Sequence, residues 1–580
     1  MTATDIHADT HAAKRTASRM AANHAPLSWQ EIPAGARRLL LHGSRGRDHL
    51  LAVSRQVLAQ AANPATEPGF RLRLLALAQS VLLAAWTGSP LDGALAGMLL
   101  SPPLPGWPAL PLPVENLLKA QVNFWAPPKP EHPWWSAQDM DRRLDAARQG
   151  LAQDPKNLFW KHAAWELAWP AALPGGDWSL VDELLDEGKW PRTLAPLRHR
   201  FAAHAFLARG DAHSALASLN AAPALATLVG DACLRSECLM RLGPAVGADE
   251  AAQVLRGSLR GSPWRTSQWL RLHDLATGAA KAASPLPGGA AILLYTFNKA
   301  RELDETLSSL AVSDLGESRI WALDNGSGDE TPRVLSDWRG RLGDRLTVIS
   351  LPVNIGAPAA RNWLLSLPEA RRYPYVAFLD DDVSLPADWL LKLGAAVLAC
   401  PEASVWGCRV VDDANPLVLQ SVDLTPLPSA ASGPEGGEDQ PLALPRLHLE
   451  QPDQGQFSYL RPCVSVTGCC HLLREADIDK TGGFDIRFSP TQFDDLERDL
   501  RLGLAGGHAA YQGHLRVRHK RRSGAAAERS AAEIGNATAN THKLLTKHKA
   551  EDFIRLREHG EALLAADLER KMERLERERA

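Results

Sequence analysis

Disulfide chemistry is the first thing this sequence lacks. Its seven cysteines (Cys233, Cys238, Cys400, Cys408, Cys463, Cys469 and Cys470) are odd in number, contain no C-x-x-C pair and are spread over 580 residues. That pattern favours reduced thiols over a disulfide framework. A strong charge excess is missing too. A net charge of -3 and a pI of about 6.7 exclude a broad nucleic-acid-binding face, so no nucleic-acid partner is expected. One local basic run, Arg516 to Arg522, reads equally well as a solvated face. The most apolar stretch, Leu72 to Trp86, is interrupted by Arg73, Gln79 and Ser80 and is too short to span a bilayer. The N-terminal stretch to Pro26 has no apolar core of a signal-peptide kind. These absences lead to the expectation of a cytoplasmic protein, with peripheral contact at the inner membrane left open.

What is present suits a packed protein. Hydrophobic residues make up 45% and charged residues 23%, and the length allows about three or four domains. Residues 1–26 are expected to be disordered. From Trp29 to Ala279, Leu and Ala recur at three- and four-residue spacing, which predicts helices. A Pro-rich segment, Ser101 to Pro133, separates a helical region over 27–137 from a second over 138–280. In the latter, Gly176-Asp177, Gly210-Asp211 and Leu242-Gly243 lie roughly 34 residues apart, a spacing similar to tetratricopeptide units. Such arrays hold another chain on a concave surface, so a protein partner is expected there; an irregular bundle is the alternative. Thirteen of the eighteen Trp precede position 280, and Trp160, Trp165 and Trp169 share a helix face. Core packing explains them, and a partner- or acceptor-binding groove is the alternative.

The linker Lys281 to Gly289 marks a boundary. Beyond it, apolar strands over Ala290–Tyr295, Ile320–Leu323, Leu346–Leu351 and Tyr375–Leu379 alternate with helical segments. The alternation predicts a mixed, mostly parallel α/β sheet over 290–525. A Pro-, Gly- and acid-rich insert runs from about Thr425 to Gln456, and charged helices are expected over 526–580.

Polar motifs close these strands, where open α/β sheets bind ligands. Asp380-Asp381-Asp382 follows the fourth strand. Three adjacent carboxylates repel one another, and a divalent cation such as Mg2+ or Mn2+ would relieve that; an ordinary acidic turn is the alternative. Asp324 opens a Gly-rich turn, either as turn chemistry or as an acceptor for a base or ribose. Asn354 to Asn362 has small residues for close backbone approach, and Arg361 suits phosphate or carboxylate pairing. Its alternative is a helix start with Arg361 on the surface. Asp494 and Asp495 lie at the start of an expected helix, as caps or as a general base. His519 follows a strand-like segment, as a ligand or merely as a structural residue.

Together these motifs resemble family-2 glycosyltransferases of the GT-A fold over about residues 290–548. Thr296 and Asn298 match the family's first strand end, and Asp324 to Asp329 its D-N-G-S-x-D turn. Asn354 to Asn362 matches N-x-G-x-x-x-A-R-N, Asp380 and Asp382 the D-x-D motif, and Gly482 to Asp485 the G-G-F-D segment. The paired-acid motif E-D-x-D is here Asp494-Asp495-Leu496-Glu497, a departure that exchanges Glu and Asp at both ends. His519 takes the place of a C-terminal His that some relatives add to the metal shell, and Asn540 to His548 is similar to the family's trailing helix.

The resemblance implies inverting, hexosyltransferase-like chemistry from a nucleoside diphosphate sugar to a glycan, lipid-linked or protein acceptor. It implies that Thr296, Asn298, Asp324 and Asn325, with Asn354, Gly356 and Arg361, line the donor site beside Asp380 and Asp381. Asp380, Asp382 and His519 would hold Mn2+ or Mg2+. Asp495, by register, would be the base, with Asp494 beside it. A nucleotidyltransferase would need a Gly-rich basic loop that Tyr295 to Leu303 lacks. A non-catalytic scaffold carrying a vestigial transferase domain remains the other alternative, and the intact acidic motifs argue against it.

Overall fold

The computed structural model describes residues 25–137, 140–171, 178–222, 231–427, 453–520 and 531–578. The expected disorder before Pro26 falls almost wholly outside them. The chain divides into two compact units. The first takes most of the residues up to Thr266, and the second takes Ser267–Ala580 with two short earlier segments.

The first unit is helical because its apolar residues repeat at helical spacing and its helix starts are capped. Glu67 accepts hydrogen bonds from Gly69 and Phe70 at the start of the helix Pro68–Gly88, with Pro68 at its first position. That helix has 21 residues, longer than the stretch legible in the sequence, and its length and composition would suffice to cross a membrane. It is nevertheless mostly buried within the protein. Asp92 caps Gly93–Leu100 and pairs with Arg47 at 2.7 Å.

Helix pairs Met140–Gln153 with Leu158–Ala171 and Ala195–Ala208 with Ala212–Asn220 pack as hairpins. Gly210, at φ +84°, makes the second turn, and Asp211 caps the helix after it. Of the other repeat positions, Gly176 and Asp177 lie outside the described residues, and Gly243 separates two helices. Trp160 and Trp165 are buried, one against Gly150 and the other edge-on to Phe201 at 4.5 Å. They are core, so the groove alternative does not hold for them; the side chain of Trp169 lies outside the described residues.

The second unit is built on one sheet. Its strands are β1 Ala290–Thr296, β2 Arg319–Asp324, β3 Leu346–Ser350, β4 Tyr375–Leu379 and β5 Val383–Ser384. They continue with β6 Val405–Asp412, β7 Leu419–Ser421, β8 Leu460–Cys463, β9 Cys470–Arg474 and β10 Ala509–His519. The order is β3-β2-β1-β4-β9-β6-β10-β5, with β7 on β6 and β8 on β10. The first four strands lie within a residue of the expected positions and pair in parallel. β9 then runs antiparallel between β4 and β6, and β10 pairs in parallel with β6, so the sheet is mixed. Strands β1 and β4 are apolar almost throughout, as expected where both faces are covered. Leu294, Leu307, Trp389, Trp406 and Leu472 belong to the buried core. Most of the expected insert, 428–452, lies outside the described residues.

Two boundaries differ from the sequence expectation. The second unit begins ahead of the linker: the helix Thr266–Ala276 contributes Asp274, whose carboxylate accepts from the amide of Leu460 at 2.6 Å and lies 2.9 Å from His514. The linker itself is pinned, with Ser284 donating to the Leu391 carbonyl at 2.9 Å and packed so tightly that a Cβ on Gly394 would lie 2.1 Å from the Ser284 carbonyl oxygen. At the other end, helices Ala531–Lys547 and Ala550–Arg577 belong to the same unit. Leu544, Phe553 and Leu556 form a second small core with Leu496 and Leu500. Composition suggested charged appendages, but the period of these apolar residues makes one face of each helix a packing surface.

Burial opposes charge on Asp274, yet Lys571, His273 and His514 hold its carboxyl well below the usual carboxylate range. Asp274→Ala should therefore destabilise the protein by roughly 3–5 kcal/mol, the usual cost of removing one partner from a buried ionic group. Because the folded value is depressed, the contribution is complete above about pH 4 and is lost as pH falls through the folded value. Urea unfolding at pH 7 and pH 3 checks both points: the gap between wild type and variant should narrow at the lower pH.

Candidate active site

The acidic triplet sits where β4 ends. Its three carboxylates are separated by cations that belong to the chain. Lys299, just after β1, donates to Asp381 at 2.9 Å and to Asp382 at 2.8 Å. His519, the last residue of β10, approaches Asp382 at 3.0 Å and Asp380 at 3.8 Å through Nε2. Its Nδ1 faces the Gln420 oxygen at 2.7 Å. Burial works against charge at Lys299, Asp381, Asp382 and His519. The pairing outweighs it for Lys299, which is held above its usual range, and for Asp382, which is held below it by His519 and Lys299. His519 is likewise raised, despite burial, by Asp382 and Asp380. For Asp381, burial outweighs Lys299 and pushes the carboxyl up.

Arg361 joins this cluster to the paired acids. The surface alternative for it fails: the residue is buried, donates to Asp494 at 2.5 Å and reaches Asp380 at 3.4 Å. The Tyr295 and Phe484 rings lie 5.4 and 5.2 Å from its guanidinium carbon. Asp494 and Asp495 both begin the helix Asp494–Leu504 but have different surroundings. Asp494 is buried and bound to Arg361. Asp495 is half-buried and accepts from the backbone amides of Gly468 at 2.5 Å and Leu496 at 2.8 Å. Gly468 must lack a side chain here, since a Cβ would lie 2.9 Å from Asp495 Oδ2 and 3.0 Å from Arg361 Nη2.

The loops after β1, β2 and β3 interlock beside these residues. Asn298, at φ +53°, accepts from the Gly328 amide at 2.8 Å, and its own amide donates to Ser327. Asp324 accepts from the Ser327 amide at 2.9 Å. Asn325 donates to Asn354 at 2.9 Å and accepts from the Ile355 amide. Thr296 and Asp324 are buried neighbours across β1 and β2. The structure thus brings all the expected donor-site residues to one edge of the sheet, while the side chains of Asn298, Asn325 and Asn354 are engaged in fixing the loops. Gly356, at φ +83°, lets the chain pass Ser489, whose Oγ would lie 3.0 Å from a Cβ there. Asn362 clamps the G-G-F-D segment through two hydrogen bonds to the Phe484 backbone.

The helix Ala531–Lys547 holds the loop that delivers the paired acids. Asn540 donates to the carbonyls of Phe488 and Thr491 at 3.0 and 2.7 Å, and Lys547 joins Asp485 to Glu497 at 2.6 and 2.5 Å. Glu497, one of the two residues that depart from the family pattern, is buried and is also paired with Arg501. Its longer side chain serves that internal link.

The donor set fits a divalent cation. Among the described residues, Asp380, Cys469 and His519 place ligand atoms within 4.8 Å of one another. Asp382 lies beside His519, bonded to Lys299. Lys299, Gln420, Gly468 and Cys469 were missed by sequence reasoning. Lys299 had one signal, a cation directly after the Thr296–Asn298 strand end; the others depend on strand register.

Residues 291–479 match the model of the family described as Glycosyl transferase family 2. This part of the chain is a family-2 glycosyl transferase domain, with the GT-A type of α/β fold. No curated relative matches. Among solved structures, S. aureus TarS 1-349 is 18% identical at a TM-score of 0.28, over 39% of this chain and 60% of that one. GalNAc-T7 with UDP, GalNAc and Mn2+ is 13% identical at 0.34, over 44% and 47%. Mannosyltransferase PcManGT from Pyrobaculum calidifontis, in complex with GDP-Man and Mn2+, is 18% identical at 0.32, over 55% and 81%. The chain therefore spans less than two thirds of the first two.

Lys299→Met should leave Asp381 and Asp382 without their shared counter-ion. The lysine side chain is 34% exposed, so solvent screening tempers the loss to about 1–3 kcal/mol. Thermal melts with chelator present should show a fall of several degrees, and added Mn2+ should recover part of it. An unchanged melt would mean that Lys299 does not balance the acid pair.

Proposed function

We propose that the second unit is an inverting, divalent-metal-dependent glycosyltransferase that moves a sugar from a nucleoside diphosphate sugar to an acceptor hydroxyl. The observation that carries this is the convergence, through Arg361, of two acidic sites with different tasks. Asp380, Asp382 and His519 form a cation position at one end of the guanidinium, and the Asp494–Asp495 pair stands at the other.

Asp324 and Thr296 hold the nucleoside at the edge of β1 and β2, in loops kept rigid by Asn298, Asn325 and Asn354. Asp380, Asp382 and His519 hold the cation, with Asp381 beside them on Lys299. The cation, when bound, neutralises charge developing on the departing diphosphate. Asp495 takes the proton of the acceptor hydroxyl as its oxygen forms the bond to the anomeric carbon and the bond to the diphosphate breaks. Asp494 is a poor candidate for that task because Arg361 occupies its carboxylate; its part is to hold Arg361, and through it Asp380, in place. Inversion follows from a single displacement with no covalent intermediate on the protein.

The measurement is release of nucleoside diphosphate from a panel of nucleotide sugars, with Mn2+ and with chelator. Wild type should release product only with the metal. Asp382→Ala should lose turnover while keeping its circular-dichroism spectrum, and normal turnover of that variant in chelator would remove the cation from the mechanism.

Asp495→Asn should keep donor affinity by calorimetry and lose turnover by about 100-fold or more, as when a general base is removed. Asp494→Asn should lose less. The reverse order would transfer the base to Asp494.

A further inference from the structure

The register of the sheet brings a sulfur to the cation position. Leu379 of β4 stands opposite Cys470 of β9, and one step further the Asp380 amide donates to the Cys469 carbonyl at 3.1 Å. Cys469 is thereby set beside the end of β4, while β10 delivers His519 from the other side, opposite Val383 of β5. The sulfur, an Asp380 oxygen and a His519 nitrogen all lie within 4.8 Å of one another. Cys469 is buried, whereas Asp380 and His519 are half-buried, so the sulfur closes the inner wall of the site.

A second feature shapes the same position. Gln420 presents its oxygen to His519 Nδ1 at 2.7 Å, while its nitrogen faces the His519 carbonyl at 3.3 Å and Asp412 at 3.5 Å. With Gln420 facing Nδ1, the ring is oriented so that Nε2 faces Asp380, Asp382 and the cation position. Such an outer hydrogen bond is the usual means of orienting a metal-bound histidine.

We propose that Cys469 is a metal ligand of this site, and that its sulfur, with His519 and Asp380, makes the site selective for borderline transition ions such as Co2+ and Zn2+ over Mg2+. Hard Mg2+ favours oxygen ligands, whereas thiolate and imidazole favour later first-row metals. On binding, the thiol proton and the Nε2 proton that His519 holds against Asp382 leave to solvent as the sulfur and the nitrogen take up the ion. The proposal rests on this cluster being the cation position of the proposed transferase. It adds that Mg2+ alone is a poor activator and that the protein carries a tightly held transition ion when one is supplied.

The test uses the full chain, stripped with chelator and titrated with Co2+ alone, with no nucleotide present. Wild type should develop a near-ultraviolet thiolate-to-cobalt charge-transfer band at one equivalent. Cys469→Ser and His519→Gln should each weaken Co2+ binding by roughly 10- to 100-fold or more, on the scale of lost metal-site support, and Cys469→Ser should lose the band. Cys470→Ala should keep it, since Cys470 pairs with Cys408 and is not among the residues that converge with Asp380 and His519. If Cys469→Ser does not fold, wild type still decides: Co2+ bound by calorimetry without a charge-transfer band overturns the proposal, as does a band that survives in Cys469→Ser. A band in wild type from a protein that turns over no nucleotide sugar would sustain the ligand assignment and overturn the transferase function. Metal-dependent turnover without a band would do the opposite.

Discussion

One buried guanidinium organises the polar edge of the sheet in the second unit. Arg361 is held between Asp494 and Asp380, and its flat faces lie near Tyr295 and Phe484. A charge so buried is tolerated because its two terminal nitrogens pair with Asp494 and Asp380, while Nε has no hydrogen-bond partner among the described residues. Arginine suits this better than lysine, since it offers several donors in a rigid plane and stacks on rings. The guanidinium joins its own helix Ala357–Leu365, the end of β4 and the helix Asp494–Leu504, three parts of the chain that do not otherwise share a strand pairing. Loss of one partner of such a pair costs about 3–5 kcal/mol. The cost in geometry would be greater, because two acidic sites would lose their common reference point.

Charge balance extends this constraint. Asp380, Asp381, Asp382, Asp494 and Asp495 crowd one end of the sheet, and Lys299, Arg361 and His519 lie among them. The internal cations keep the acids apart, although burial still pushes the carboxyls of Asp381 and Asp494 up. A bound divalent ion would enter a site whose carboxylates are already oriented, which reduces the cost of ordering them at the moment of binding. Further out, Lys547 and Asn540 act on the loop before Asp494 in the same manner, one through charge and the other through backbone carbonyls. The final helices are therefore part of the site's support, and their apolar faces close a small core with Leu496 and Leu500.

Much of the catalytic unit was legible in the sequence. Four apolar segments separated by helical ones marked β1 to β4 to within a residue; β1, β2 and β4 are buried on both faces and so nearly apolar throughout, while β3 is a half-exposed edge strand. Polar motifs at their ends marked the site edge. The starting point of the unit was not legible. Asp274 belongs to a helix whose pattern matches the helices before it, and only its contacts with Leu460 and His514 assign it to the sheet. The linker after it read as a domain boundary from its Pro and Gly content, yet it is packed against Gly394 within the second unit.

The sequence by itself determined the residue types at the strand ends, the order of the motifs and the presence of two adjacent acids ahead of a helix. These are local properties, set by spacing and by the period of the chain. The tertiary structure decided which acid is occupied and which is accessible, since that depends on Arg361, 133 residues before Asp494. It also decided that Lys299 balances the triplet and that Glu497 is an internal anchor. Most of all, it decided that Cys469 stands beside Asp380 and His519. Antiparallel pairing of β9 with β4 is a matter of register, and shifting a strand by one residue turns every side chain to the other face. No spacing within a single stretch of sequence carries that information.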